Sequence, residues 1–98
     1  MKSYRFAEGA EADFAEALEF YREESDALAS RLYDEIRQLI SAVCAAPSLY
    51  RVVAPPVRRH FSEKFPYAIL YVDKPDHVLI LAVAHFKRRP SFWRERLR

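Results

Sequence analysis

The sequence predicts an α+β fold: a helical hairpin packed on a small antiparallel β-sheet, in the order β-α-α-β-β-β with a short C-terminal helix. Three observations predict it. The first half carries two amphipathic stretches with helical period. The second half carries two runs, FPYAILYV and HVLILAVAH, that are apolar on both faces. Such runs read as central strands, because a strand solvated on one face alternates apolar and polar residues. With 98 residues there is room for one core only, so the two halves are expected to cover each other in a single domain spanning residues 1–98.

Each element has its own signal. Residues Lys2 to Ala7 alternate, with Tyr4 and Phe6 set against Ser3 and Arg5, which suits a short edge strand. Glu8, Glu11 and Asp13 then favour a helix start, where negative charge meets the N-terminal dipole. Phe14, Ala17, Leu18 and Tyr21 follow at i, i+3, i+4 and i+7, while Glu16, Glu19, Glu23 and Glu24 fall largely off that stripe. The acidic side, Asp13 included, is expected to be a solvated face. The polar stretch Arg22 to Asp26 ends or bends the helix. A second helix gathers Leu28, Leu32, Ile36, Leu39, Ile40 and Val43 on one face and stops before Pro47. The two are expected over residues 10–25 and 27–45 as an antiparallel hairpin.

Tyr50 to Val53 suits a strand that Pro55-Pro56 breaks or bends, and Val57 to Phe61 resumes it. Residues 65–72 and 77–85 form a hairpin around Asp73-Lys74-Pro75-Asp76, with both strands in the sheet interior. Pro90 then opens a short helical tail, SFWRERLR, anchored by Phe92, Trp93 and Leu97.

Composition narrows the function. At 51% hydrophobic and 31% charged residues, the chain has the balance of a soluble globular protein. A lone Cys44 on an apolar helix face excludes a disulfide framework and cysteine-based zinc sites, and reads as core filler in a reducing compartment. No apolar run reaches the roughly 18 residues of a membrane span, and MKSYRFAEGAEADF is no signal peptide, so a cytoplasmic protein is expected. No His, Asp and Glu cluster has metal-ligand spacing, and no cofactor is expected.

The net charge of +2 hides a bipolar molecule. Residues 1–49 hold 5 Lys and Arg against 10 Asp and Glu, net −5, whereas residues 50–98 hold 11 against 4, net +7. Two basic clusters, VRRH and FKRRP, flank the apolar strand runs. A paired-strand platform with cations at its ends suits an anionic partner.

With these residues in place, the chain resembles the RelE/ParE superfamily of bacterial type II toxins, which includes plasmid stabilisation and addiction-module toxins. The generic part of the resemblance is ADFAEALEFY on the first helix and IRQLISAVCAAPSLY at the end of the second. The more specific part is Arg58 and Arg59 on a basic strand, then FPYAILY, then ILAVAHFKRRPSFW. The resemblance implies a growth-inhibiting toxin held inactive by a cognate antitoxin, whose acidic or amphipathic segment wraps it. It leaves two targets open, since some members cut mRNA on the ribosome and others poison DNA gyrase.

A ribonuclease needs cations around the scissile phosphate together with an acid and a base. The candidates are Arg58, Arg59, His60, Lys64, His85, Lys87, Arg88 and Arg89, with Tyr67 or Trp93 to stack on a base. In the family pattern, Arg88 matches a phosphate-stabilising arginine after the last strand. Ala68 stands where the best-known nuclease members place another arginine, and Phe92–Trp93 where they place a terminal tyrosine. Two roles suit His85: a general acid or base, or a packed histidine that fixes the bend into the tail. A binding surface for target or antitoxin is expected from Arg58, Arg59, Lys64, Lys87, Arg88, Arg89, Trp93 and Arg94, with Arg96 and Arg98 extending the charge. The incomplete nuclease set favours poisoning of a topoisomerase such as gyrase over ribosome-dependent mRNA cleavage.

Overall fold

In the computed structural model, which describes residues 1–97, helix α1 (Ala10–Arg22) starts one residue after Gly9. The left-handed backbone of Gly9 (φ 94°) turns the chain out of strand β1 (Ser3–Phe6). Helix α1 ends at Arg22, where the polar stretch begins, rather than at the expected residue 25, because the amides of both Glu24 and Ser25 turn back onto the Tyr21 carbonyl. Helix α2 (Asp26–Ala45) starts at once, with the Ser25 hydroxyl accepting the Leu28 amide hydrogen at 3.0 Å.

The other strands are β2 (Arg51–Ala54), β3 (Val57–Phe61), β4 (Tyr67–Asp73) and β5 (His77–His85). A 3₁₀ helix at Phe92–Leu97, the tail, follows them. The sheet order is β1-β5-β4-β3-β2, which puts β4 and β5 in the interior as their two-sided apolar runs predict. The sheet is antiparallel except at one edge, where β1 runs parallel to β5. Parity explains this departure from a wholly antiparallel sheet. The helices carry the chain back beside the start of β1, where the Lys2 amide donates to the Cys44 carbonyl at 3.1 Å, and β2 then runs opposite to β1. Three further reversals then bring β5 back to the direction of β1.

Opposite Leu70 and Tyr71 of β4, strand β5 carries one extra residue, Leu81. The bulge flips the alternation. Ile80 and Val83 both join the core beneath the helices, while Leu81 and Ala82 both join the core on the other side. The first core packs Phe14, Leu32, Ile36, Ile40 and Val43 against Ile69 and Tyr71. The second, on the outer face of the sheet, gathers Val57, Leu70, Val72, Leu81 and Ala82 beneath Trp93 of the tail. Among the described residues, no helix is long and apolar enough to cross a membrane.

Candidate functional site

Strand geometry divides the first basic cluster. Successive side chains point to opposite faces, so β3 sends Val57, Arg59 and Phe61 outward and turns Arg58 and His60 toward the helices. Arg58 donates from Nη1 to the carbonyl oxygens of Tyr50 at 2.7 Å and Ser48 at 3.2 Å, strapping down the approach to β2. His60 lies against the Tyr50 ring with 4.0 Å between centroids, and burial pushes its pKa down despite nearby Glu35 and Glu63. It therefore adds no charge to the surface at neutral pH. Lys64 lies on the helix side near Glu35 and Gln38. Of the basic side chains of this cluster, Arg59 alone reaches the outer face.

Among the described residues, Arg59 has no carboxylate partner. Its cross-strand neighbour is another cation, Arg51, and like charges placed opposite one another repel. The guanidinium lies 4.0 Å over the Phe61 ring, and its buried Nε has no hydrogen-bond partner. Burial first, and then the charge of Arg51, pull its pKa below the usual arginine value. An arginine so placed still keeps its proton, so the outer face holds an uncompensated positive charge.

The second cluster follows β5. The amide of Lys87 donates to Nδ1 of His85 at 3.0 Å, and the amide of Arg88 donates to the His85 carbonyl at 2.9 Å. This tight turn sends the chain over the outer face. The Arg88 guanidinium stacks 3.9 Å from the Phe92 ring centroid, with Nη1 3.5 Å from Asp13 Oδ1. Arg94 lies 5.2 Å from the Trp93 ring centroid. Lys87, Arg89 and Arg94 are exposed.

Between the two clusters runs a groove of about 620 Å³. Its floor includes Ala68 and Ala84, which are cross-strand partners, so small side chains open the space. Of the residues expected from the sequence, the groove brings together Arg59, His85, Arg88, Arg89, Trp93 and Arg94. Arg58, Lys64 and Lys87 lie outside it. Trp93 is only 7% exposed and packs as core, and Tyr67 faces the helices, so neither ring is free to stack on a base. The exposed rings are Phe61 and Phe86, edge to face at 5.1 Å and 45% and 52% exposed. Sequence reasoning missed both. The available signal was an aromatic at the outward position two residues beyond Arg59, and another immediately beyond the last strand.

Asp13 overturns the expectation of a fully solvated acidic face. It is buried, and Arg96 grips it with two bonds, Nη1 to Oδ2 at 2.6 Å and Nη2 to Oδ1 at 3.1 Å. Its Oδ2 also accepts the Val83 amide hydrogen at 3.2 Å. Asp13 stands three residues after Ala10 and four before Ala17, on the buried stripe itself, and this spacing was the overlooked signal. Arg96 in turn is matched internally and does not extend the cationic surface, and Arg98 lies outside the described residues.

His85 is the one histidine lining the groove. A Nδ1 atom that accepts the Lys87 amide leaves the neutral His85 ring its proton on Nε2, and commits the only basic lone pair of that ring. Among the described residues, no group of three or more His, Cys, Asp and Glu side chains could hold a metal ion.

Comparisons with known proteins bear on the family and the fold. Residues 4–90 match the family described as ParE toxin of type II toxin-antitoxin system, parDE. No curated protein sequence matches the chain. The fold is similar to that of a chain in a structure titled "Chromosomal ParDE TA system from P. aeruginosa", with a TM-score of 0.75 at 20% identity. The match covers 87% of this chain and 96% of that one.

Proposed function

The chain belongs to the ParE toxin family of type II toxin–antitoxin systems, and from that premise we propose that it arrests growth by binding and poisoning a topoisomerase such as DNA gyrase. The observation that carries this reading is the lone pair of His85, taken by the Lys87 amide, which leaves the cationic groove without a free general base. Two further features support it. Arg88 lies with Nη1 3.5 Å from the buried Asp13 carboxylate, so a phosphate would have to compete for this side chain, which is 42% exposed. Ala68 lines the groove where nuclease relatives would offer a cation, and loss of one such contact costs about 10²–10³ in rate. Exposed phenylalanines beside unneutralised arginines are instead what a protein-binding surface needs.

The same surface suits the cognate antitoxin. An acidic or amphipathic segment of that partner would satisfy Arg59, Arg89 and Arg94 while covering Phe61 and Phe86. The antitoxin and the target then compete for one groove.

The test sets the purified protein beside gyrase and beside translating ribosomes. Inhibition of supercoiling or trapped cleaved DNA, with intact mRNA, is the expected result. Site-specific mRNA cuts with unaffected gyrase would reverse the reading. Under it, His85→Ala changes potency little, whereas a nuclease would lose about 10²-fold in cleavage.

A further inference from the structure

Three segments far apart in the chain meet at the Arg96 guanidinium. Asp13 of α1, its side chain 5% exposed, takes both arms of the guanidinium fork. The carbonyl of Leu81, the extra residue of the β5 bulge, accepts Nη1 at 3.1 Å. Gly9 makes the space, because a Cβ there would lie 2.9 Å from Cζ of Arg96. A buried ion pair adds little stability for its desolvation, but a two-bond fork fixes direction as well as distance. What this pair directs is the tail, which carries Arg94 and Trp93 and closes over Arg88 through Phe92.

We propose that Asp13 and Arg96 are positioning residues: they hold the tail on the outer face of the sheet, so that Arg88, Arg89 and Arg94 stand together over the groove. Neither residue touches the target. Without the pair the two helices and the sheet persist, while the cations on the tail lose their fixed arrangement and the groove loses a wall. The consequence for potency rests on the groove acting as proposed above, whereas the consequence for the tail does not. Trp93 is the sole tryptophan and is buried only by this docking, so its fluorescence reports the tail directly.

The experiment compares wild type with Arg96→Gln, Arg96→Lys and Asp13→Asn. Far-UV circular dichroism, acrylamide quenching of Trp93, gyrase inhibition and growth arrest on expression are measured for each. Arg96→Gln and Asp13→Asn are expected to keep the wild-type dichroism, expose Trp93 to quencher and lose on the order of tenfold in potency. Arg96→Lys, which keeps the charge but not the fork, recovers part of both signals and serves where a harsher variant fails to fold. Trp93 shielded as in wild type in Arg96→Gln and Asp13→Asn overturns the proposal, since Trp93 would then dock the tail unaided. An exposed Trp93 with undiminished growth arrest also overturns it. If wild type leaves gyrase untouched but still arrests growth, the topoisomerase reading fails and growth arrest decides the role of the pair. A wild-type chain that arrests nothing overturns the topoisomerase reading and the effect on potency, and the quenching of Trp93 then decides the positioning of the tail.

Discussion

Tyr71 is the largest side chain with no exposed surface, and its hydroxyl donates to the Pro47 carbonyl at 2.6 Å. Burial pushes its pKa up to about 12, against a smaller opposite pull from Arg58. In the unfolded chain this hydroxyl titrates near the ordinary value of about 10. Between about pH 10 and 12 the unfolded state therefore releases a proton that the folded state keeps. The stabilising contribution is whole below pH 10 and drains away as pH rises toward 12. In urea titrations, the wild-type midpoint should fall steeply across that window. Tyr71→Phe should start about 1 kcal/mol lower at neutral pH and fall less steeply. Equal slopes would show that Tyr71 is not the group responsible. The burial of Tyr71 was legible as strand alternation, but its partner, 24 positions away, was not. The same holds for the buried pair of Ser62 and Glu35, joined by a 2.6 Å bond across 27 positions. Periodicity tells which face a residue takes and is silent about what waits there.

Helix α2 shows what a single capping residue does for an element. Ser25 has extended backbone and accepts from the Leu28 amide, while α1 begins at Gly9 with no side-chain cap at all. Ser25→Ala should lower stability by about 1 kcal/mol and Ser25→Gly by only a few tenths, read from denaturant midpoints at unchanged m-value. A loss as large for glycine as for alanine would contradict a capping role. Both helices and four strand runs announced themselves in the sequence, because their apolar patterns are long or well bounded; the fifth strand arises where Pro55-Pro56 divides one expected strand into β2 and β3. The β5 bulge did not. In a run as apolar as HVLILAVAH, every register buries something, so the inserted residue leaves no trace in the pattern. The adjacency of Arg58 and Arg59 misled in the opposite way: neighbours in a strand are strangers in space, and only one of the two arginines reaches the groove.

Across the whole molecule, the charge asymmetry between the halves survives folding with few exchanges: Asp13 of the acidic half pairs with Arg96 and Arg88 of the basic half, and Lys2 pairs with Asp73. The cations left at the groove should steer an acidic partner segment. Replacing both Arg89 and Arg94 with glutamine should slow association with such a segment at low salt, and the difference should vanish near 1 M salt, where screening acts within about 3 Å. Stopped-flow rates unchanged at low salt would place the encounter elsewhere. The basic clusters were plain in the sequence, but their assembly into one groove depends on contacts between distant segments, which local pattern cannot supply. That long reach also sets a clock. Strand β1 pairs with β5 alone, and Lys2 reaches Asp73, 71 positions on. At a synthesis rate of about 5–20 residues per second, the first strand waits roughly 4–14 s before its partner has been made. Asp13 waits longer still for Arg96, 83 positions on. Throughout that interval the nascent chain consists of acidic helices and half a sheet. Its groove has neither the Ala84 floor nor the rim of Arg88, Arg89 and Arg94, so the surface proposed to meet the target does not yet exist.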